Sequence, residues 1–253
     1  MSGDILIAAA VPDELAAVRA ELSAARTETV GGRRLDIGRL SGRKVRLMAT
    51  GPGIFNTVQG LTAAVESCRP AMVIMGGTAG AFARSGLGVG DLAVAIEEID
   101  VHLGIESPEN EAVPSRLPFP IIQRPGLEIY RRCPLDRPLA ERCRQILDDR
   151  SGRDAGRVAT GPFLTVATVT ASDKRAEALY HAFAPCMESM EGMGGALTAV
   201  HYGLPLVEIR SASNLVGRRQ RERWDLPLAA ARLGQAILDL VTDLPPPPVD
   251  DAR

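Results

Sequence analysis

The amino-terminal part of the chain changes from a continuous apolar run to a helical pattern within a few residues. Ile5–Ala10 is an unbroken apolar run, which is typical of a strand buried on both faces of a sheet. Pro12 and Asp13 are helix start signals, and Leu15–Leu22 follows with a helical spacing of apolar residues. This order predicts a strand followed directly by a helix, with Glu14 at the carboxyl end of the strand.

The alternation of strand and helix patterns continues along the chain and predicts one α/β domain. Strands are predicted over 33–40, 44–49, 71–75, 89–99, 158–170 and 205–210. Helices are predicted over 54–67, 138–149, 174–183, 192–202 and 227–240. We expect a single domain over residues 1–244, within which 102–137 is a proline-rich loop or inserted arm, and a disordered tail over 245–253.

Polar and glycine-rich segments follow several predicted strands, at the edge where open α/β sheets bind ligands. Glu14 follows the first strand, Gly76–Gly80 follows the strand over 71–75, and Asn214 follows the strand over 205–210. Glu14 is either a first-turn acid stabilised by the helix dipole or a general base. The glycines serve either the close approach of a ligand or a tight crossing of two backbones.

The segment Met187–Gly195 places a carboxylate at the start of a predicted helix. Glu191 alone is explained equally well as an ordinary first-turn acid. Its neighbours are methionines and glycines, so we expect the carboxylate to be partly buried. A buried carboxylate needs a polar partner, and the paired hydroxyls of a sugar would provide one.

Composition argues against several classes of partner and cofactor. The formal net charge is −2 and aromatic residues make up 4% of the chain, which gives no case for nucleic-acid binding. No run of about 18 apolar residues is present, so we expect no membrane span. The cysteines form no CxxC pair and the histidines have no ligand spacing, so we expect no metal or other cofactor. Scattered thiols and the lack of a basic amino-terminal region favour a cytoplasmic protein.

Five short segments carry a resemblance to a known family. They are 10–14 (Ala-Val-Pro-Asp-Glu), 77–80 (Gly-Thr-Ala-Gly), 89–91 (Val-Gly-Asp), 190–192 (Met-Glu-Gly) and 209–214 (Ile-Arg-Ser-Ala-Ser-Asn). In this order they resemble the nucleoside phosphorylase/nucleosidase family, and 161–166, 213–214 and 224–226 look most like its futalosine hydrolase branch. The resemblance implies a twisted mixed central β-sheet with helices on both faces, and a homodimer.

The resemblance also implies roles for the matching residues in cleaving an N-ribosidic bond, which passes through a ribosyl cation-like state. Glu14 matches the carboxylate that activates water. Met190 and Glu191 match the segment that binds the 2′ and 3′ hydroxyls of the ribose, and Thr78 matches a hydroxyl near the ribose and the water. The substrate-binding positions implied in this way are Thr78, Ala79, Gly80, Thr168, Val169, Met190 and Glu191, of which Thr168 and Val169 fall where the family packs the base.

Asn214 departs from the adenine-specific nucleosidases of the family, which carry Asp at this position to favour protonation of N7. An amide cannot act as that acid, but it can accept from N7–H and donate to O6 of a 6-oxopurine at the same time. Asn214 is therefore a second catalytic candidate beside Glu14. The resemblance then implies hydrolysis of futalosine to dehypoxanthinylfutalosine and hypoxanthine, a step of menaquinone biosynthesis.

Futalosine carries a carboxylate beyond the ribose, and an arginine is a suitable partner for it. The sequence does not choose among the candidates, which are Arg84, Arg116, Arg218 and Arg219.

Three alternatives remain open. A nucleoside phosphorylase would share the fold, but it normally binds phosphate with arginines, and neither 11–15 nor the turn 51–53 contains one. A methylthioadenosine/adenosylhomocysteine nucleosidase is disfavoured by Asn214. A nucleoside-binding protein without activity is disfavoured by the presence of both Glu14 and Glu191.

Overall fold

A computed structural model describes residues 3–106, 113–150 and 156–245, so the predicted tail beyond Pro245 lies outside the described residues. The strands in these ranges are β1 (Ile5–Ala9), β2 (Ser23–Val30), β3 (Arg33–Leu40), β4 (Arg43–Ala49), β5 (Met72–Ala81), β6 (Leu92–Asp100), β7 (Ile122–Arg124), β8 (Leu127–Ile129), β9 (Arg132–Pro134), β10 (Val158–Thr165), β11 (Met187–Ser189) and β12 (Leu206–Leu215). The α-helices are α1 (Ala16–Ala20), α2 (Ile54–Ser67), α3 (Arg137–Arg150), α4 (Asp173–Phe183), α5 (Gly192–Tyr202) and α6 (Leu226–Asp243).

Most of the strands form one mixed sheet whose central part closes on itself. β4, β1, β5 and β12 are neighbours in that order and run parallel, and β6 pairs antiparallel with β12. β10 and β11 continue from β6 in parallel pairs, and β11 then pairs antiparallel with β5. The strands β5, β12, β6, β10 and β11 therefore form a closed barrel, while β3 and β2 extend the open side beyond β4.

Alternate side chains of β1 enter two hydrophobic cores on opposite sides of the sheet. Ile5 and Ile7 pack in the core that includes residues of α3 and α6, whereas Leu6 and Ala8 pack in the core that includes residues of α2 and α5. A strand covered on both faces needs apolar residues at every position, which explains its unbroken apolar run. The predicted fold class, one α/β domain with a mixed sheet and helices on both faces, is confirmed.

Several helices have the ends that the sequence predicts. The helices predicted over 54–67 and 192–202 are observed as Ile54–Ser67 and Gly192–Tyr202. The hydroxyl of Ser172 accepts a hydrogen bond from the backbone N of Arg175 at 3.2 Å and so caps α4, as its position predicts. Among the helices of the described ranges, none is long and apolar enough to cross a membrane.

The region after β1 differs from its prediction. The helix expected over 15–22 is a 3₁₀ turn, Pro12–Leu15, followed by the short helix α1. The chain then turns into β2, an edge strand that pairs with β3 and was not predicted. Five of its eight side chains are polar and all but one are exposed, so the strand has no apolar alternation that could signal it.

β5 and β12 are longer than predicted and contain residues that were expected to follow them. Gly76–Gly80 forms the second half of β5, and Asn214 lies inside β12 opposite Gly80. Closure of the barrel supplies hydrogen-bonding partners for these backbones, which overrides the local turn signal of small residues. The strand predicted over 158–170, in contrast, ends at Thr165.

The sequence predicted a proline-rich loop or inserted arm over 102–137, but part of this segment forms strands. β7 and β8 form a hairpin through Gly126, whose φ of 76° is a backbone conformation that favours glycine. β9 pairs with β6 at the edge of the barrel. Ile122, Ile129 and Cys133 are buried in the core that also contains residues of α2 and α5, so these strands are packed into the domain. Residues 107–112 lie outside the described residues.

Candidate active site

A cavity of about 290 Å³ opens beside the carboxyl-terminal parts of β1, β5, β10 and β12. The predicted residues in its lining are Glu14, Thr78, Ala79, Gly80, Val169, Met190, Glu191 and Asn214. Thr168 is exposed and does not belong to the lining. The structure therefore brings together all the predicted site residues except Thr168, although they come from distant parts of the chain.

Glu14 is held at the end of β1 by hydrogen bonds to both carboxylate oxygens. Oε1 accepts from the backbone N of Thr78 at 2.7 Å and from its hydroxyl at 3.0 Å. Oε2 accepts from the backbone N of Ala10 at 3.1 Å and of Val11 at 3.2 Å. The three backbone donors fix the carboxylate, whereas the Thr78 hydroxyl can rotate. A water molecule in the cavity can therefore replace that hydroxyl as a partner of Oε1.

Glu191 lies at the amino-terminal end of α5 and is 7% exposed, which agrees with the burial expected from its methionine and glycine neighbours. Its Oε1 accepts from the backbone N of Gly53 at 3.0 Å. Gly53 has a φ of 89°, a conformation that favours glycine, and it immediately precedes α2. The glycine-rich turn 51–53 therefore binds a carboxylate of the protein itself.

The guanidinium of Arg210 connects this carboxylate to a second one inside the barrel. Nη1 of Arg210 donates to Oε2 of Glu191 at 3.2 Å, and Nε donates to Oε1 of Glu208 at 3.0 Å. Arg210 is 1% exposed. Burial alone would lower the pKa of Arg210, but the carboxylates of Glu208, Glu191 and Glu14 outweigh burial and raise it. Arg210 is therefore a permanent buried cation beneath the cavity.

Gly77 provides the space that this cation occupies. A methyl group on Gly77 would overlap the guanidinium of Arg210 and would lie 3.4 Å from Oε1 of Glu14. Gly77 pairs directly with Arg210 across β5 and β12. The sequence left open a ligand or a crossing backbone as the neighbour of the glycines, but the neighbour of Gly77 is the side chain of Arg210.

Asn214 presents an amide to the cavity at the level of Gly80. Its Oδ1 accepts from the hydroxyl of Ser213 at 2.9 Å, and its Nδ2 donates to the backbone O of Leu215 at 3.0 Å. Each of these groups has capacity for one more hydrogen bond, since the oxygen has a second lone pair and the nitrogen a second hydrogen. Asn214 can therefore accept from and donate to the same ligand.

Glu188, on β11, lines the cavity and was not predicted from the sequence. Its Oε1 accepts from the backbone N of Thr170 at 3.0 Å, and its Oε2 accepts from the Thr170 hydroxyl at 2.5 Å. Burial raises the pKa of Glu188, although the hydrogen bonds from Thr170 act in the opposite direction. These bonds fix the position of the segment after β10. That segment contains Val169, which lines the cavity.

One of the four candidate arginines lies at the cavity. Arg219 belongs to the lining, and its guanidinium lies 5.0 Å from the centre of the Trp224 ring, which also lines the cavity. The other three interact elsewhere: Arg84 with Glu177, Arg218 with Asp173, and Arg116 with the ring of Tyr130. The structure therefore favours Arg219 as the arginine that a bound carboxylate could reach.

Sequence analysis did not assign roles to Arg210, Glu208 or Glu98, which are buried beneath the cavity. A signal for two of them exists in the sequence. Glu208 and Arg210 are two residues apart in an otherwise apolar strand, so they lie on the same face of it. Opposite charges at this spacing inside an apolar run indicate a buried ion pair. Glu98 gives no such signal, because its partners lie on other strands.

Among the described residues that line the cavity, Arg219 is the only arginine or lysine, and none comes from the 51–53 turn. The nearby Arg33 uses its guanidinium to bind the backbone O of Thr50 and the side chain of Asn56. Within the described ranges, no three His, Cys, Asp or Glu side chains are grouped so that they could hold a metal ion.

The comparison with known families and structures agrees with this geometry. Residues 4–242 match the model of the phosphorylase superfamily, so the chain belongs to that superfamily.

Two relatives carry more specific names. A 5′-methylthioadenosine/S-adenosylhomocysteine nucleosidase from Geobacillus thermodenitrificans is 28% identical over 93% of this chain and 95% of its own length. A futalosine hydrolase from Acidothermus cellulolyticus is 34% identical over 67% of this chain and 64% of its own length. Among solved structures, the 5′-methylthioadenosine/S-adenosylhomocysteine nucleosidase from Neisseria meningitidis, in complex with methylthio-immucillin-A, superposes with a TM-score of 0.80 at 20% identity. It covers 96% of this chain and all of the other.

Proposed function

We propose that this chain hydrolyses the N-ribosidic bond of a purine nucleoside and that its preferred base is a 6-oxopurine, with futalosine as the substrate. The observation that carries the reaction type is the pair of fixed carboxylates, Glu14 and Glu191, in the lining of one cavity. Carboxylates suit water and hydroxyl groups, and they repel the phosphate that a phosphorylase would need. The relatives named nucleosidase or hydrolase support the same class of reaction.

The two carboxylates divide the work of such a reaction. Glu14 accepts a proton from the attacking water, which takes the place of the Thr78 hydroxyl at Oε1. Glu191 accepts hydrogen bonds from the ribose hydroxyls and stabilises the positive charge that develops on the sugar. Gly53 and Arg210 each donate to one oxygen of Glu191, so its position does not depend on the substrate.

Asn214 carries the proposed choice of base. Its free lone pair would accept from N7–H of the leaving hypoxanthine, and its free N–H would donate to O6. In adenine protonated at N7, N7–H would also take the amide oxygen, and the 6-amino group would then place a donor against the donor of the amide. At the cavity rim, Arg219 beside Trp224 would pair with the carboxylate of the futalosine side chain.

A methylthioadenosine/adenosylhomocysteine nucleosidase is the second candidate, and the comparisons favour it. Relatives with that name match nearly the whole chain, whereas the futalosine hydrolase matches two thirds of it at higher identity. The two candidate enzymes would use the same mechanism at the ribose, and their substrates differ at position 6 of the base. The interaction of Asn214 with that position therefore distinguishes the two proposals.

Replacing Glu14 by Gln should remove the base that activates water while keeping the shape of the side chain. General base catalysis contributes roughly 100- to 10,000-fold, so the turnover number should fall by about that factor. Asp13→Asn is the matched control, because Asp13 is the neighbouring carboxylate and is exposed. Circular dichroism should show both variants folded. Turnover near that of the wild type in Glu14→Gln would exclude Glu14 as the base.

Asn214→Asp tests the proposed base specificity. Aspartate only accepts hydrogen bonds at neutral pH, so it cannot donate to O6 but can accept from a 6-amino group. An unpaired polar group in a closed site costs about 1–3 kcal/mol, or roughly 10- to 100-fold in kcat/KM. The wild type should prefer inosine to adenosine, and the variant should lose activity on inosine and gain it on adenosine. An unchanged ratio of the two rates would show that Asn214 does not distinguish the bases.

A homodimer, which the resemblance implies, also agrees with an exposed aromatic residue beside the site. Phe55 is 91% exposed in the first turn of α2, next to the turn whose Gly53 binds Glu191. Burying such a side chain stabilises an interface by about 1.5–3 kcal/mol. Sedimentation analysis should therefore give a dimer for the wild type and a shift to monomer for Phe55→Glu. A monomeric wild type would contradict the proposal.

A further inference from the structure

Two carboxyl groups lie side by side inside the barrel, on the neighbouring strands β6 and β12. Glu98 and Glu208 are both 0% exposed. Oε2 of Glu98 accepts from the hydroxyl of Thr165 at 2.5 Å, and Oε1 of Glu208 accepts from Nε of Arg210 at 3.0 Å. The other oxygens, Oε1 of Glu98 and Oε2 of Glu208, are buried and have no donor among the described residues. Two buried acceptors without donors would be unfavourable.

A single proton would give both of these oxygens a hydrogen-bonding partner. Two adjacent carboxyl groups cannot both be ionised in a buried site, because their charges repel each other. When one of them is protonated, its O–H donates to the oxygen of the other, and each of the two oxygens that lacked a partner gains one. We propose that Glu98 and Glu208 share one proton and that this pair acts as a positioning device, through Arg210, for the carboxylate of Glu191.

The surroundings of the pair place the proton on Glu98. Burial raises the pKa of Glu98 well above its ordinary value of 4.5, and the negative charge of Glu208 raises it further. The pKa of Glu208 is also raised, because burial outweighs the opposing effects of Arg210 and of the hydrogen bond from Glu98, but these effects limit the rise. Glu208 is therefore the member that is charged and pairs with the guanidinium.

The hydrogen bonds around the pair form one directed chain. The backbone N of Met193, in α5, donates to the hydroxyl of Thr165 at 2.7 Å, and that hydroxyl donates to Glu98. In the proposed arrangement, the protonated carboxyl group of Glu98 in turn donates to Glu208. Because the Thr165 hydroxyl has one hydrogen and uses it on Oε2, the proton of Glu98 must lie on Oε1, on the side of Glu208.

The second half of this series of hydrogen bonds ends at the cavity. Glu208 accepts from Arg210, and Arg210 donates to Glu191, whose other oxygen binds Gly53. Gly192 leaves room for this arrangement, since a methyl group at Gly192 would overlap the carboxyl group of Glu98. Loss of the shared proton would leave Glu208 with a repelling neighbour and weaken its hold on Arg210.

The other charged and titratable groups near Glu98 are Arg210, Cys133 and Glu97. Nη2 of Arg210 is a buried donor, but it forms no hydrogen bond with either of the two oxygens that lack a partner. Burial, together with Glu98 and Glu97, raises the pKa of the Cys133 thiol on β9 to about 12, so this group stays neutral. Glu97 points to the surface side and pairs with Arg132 at 2.6 Å. With the proton in place, the positive charge of Arg210 faces three buried anions, Glu208, Glu191 and Glu14; without the proton it would also face Glu98.

The shared proton has a consequence for stability that is independent of the proposed function. Glu98 has a higher pKa in the folded chain than its unfolded value of 4.5, so the folded state binds the extra proton. The stability from this group is fully present below pH 4.5 and is lost as the pH rises toward the folded pKa. The unfolding equilibrium constant should increase by about tenfold per pH unit in that window from this group alone.

The experiment combines a direct titration with kinetics. Wild type, Glu98→Gln, Glu98→Leu and the matched control Glu97→Gln are labelled with ¹³C at the glutamate carboxyl carbons and titrated by NMR. The wild type and the control should show one carboxyl that remains protonated far above pH 4.5, and Glu98→Gln should lack it. Denaturant unfolding of Glu98→Gln should also lose the pH dependence described above. A titration in which all glutamates ionise near pH 4.5 would overturn the shared proton. So would a spectrum of Glu98→Gln that retains every shifted carboxyl signal of the wild type, and not only that of Glu188, whose pKa burial also raises.

The positioning role rests on the proposed function and is tested separately. Gln has the donor and acceptor that protonated Glu98 uses, whereas Leu has neither. Glu98→Leu should therefore lower kcat/KM for inosine roughly tenfold, and Glu98→Gln should recover most of that loss. The rate of Glu98→Gln should also stay constant over the pH range in which Glu98 of the wild type ionises and the wild-type rate declines. Equal kinetics and equal pH profiles in all four proteins would overturn the positioning role. A wild type that hydrolyses no purine nucleoside would contradict the proposed function, while the NMR titration would still decide the shared proton.

Discussion

The guanidinium of Arg210 is the fixed point on which the candidate site depends. It is buried where β12 pairs with β5, and it lies between the carboxylates of Glu208 and Glu191. A buried cation is stable only when anions and hydrogen-bond acceptors surround it, so Arg210 determines where those carboxylates can lie. Because Gly77 has no side chain, the guanidinium of Arg210 has space beside the paired strands β5 and β12. The buried charges inside the barrel therefore fix the position of Glu191, which lines the cavity.

This constraint also explains why the cavity suits a sugar and a water molecule. Glu191 is already fixed by Arg210 and Gly53, and Glu14 is fixed by backbone N–H groups, so neither carboxylate must reorganise when a substrate binds. Preorganised groups of this kind stabilise developing charge more effectively than solvent does. In the proposed function, the neutral amide of Asn214 selects the base. On that proposal, one scaffold could serve different purines when that single position changes.

The sequence predicted the class of fold and most of the site, because those features depend on local patterns. The apolar run of β1 and the helix α2 follow from periodicity, and Glu14 and Glu191 follow from short motifs at the ends of elements. Closure of the barrel depends on pairing between β11 and β5, which no local pattern shows. Glu98 was missed for the same reason, since its partners Thr165 and Glu208 come from other strands. The role of Thr168 was placed by sequence distance alone, and the end of β10 at Thr165 leaves that residue exposed.

The central claim is that water, activated at Glu14, cleaves a purine nucleoside. The most direct measurement is product analysis in ¹⁸O-labelled water, with futalosine, inosine, methylthioadenosine and adenosylhomocysteine as parallel substrates, each with and without phosphate. The account predicts that hypoxanthine is released fastest from futalosine, that one ¹⁸O atom appears at C1 of the sugar, and that phosphate changes neither result. A sugar 1-phosphate without ¹⁸O would contradict hydrolysis, and faster release of adenine from methylthioadenosine would contradict the proposed choice of base.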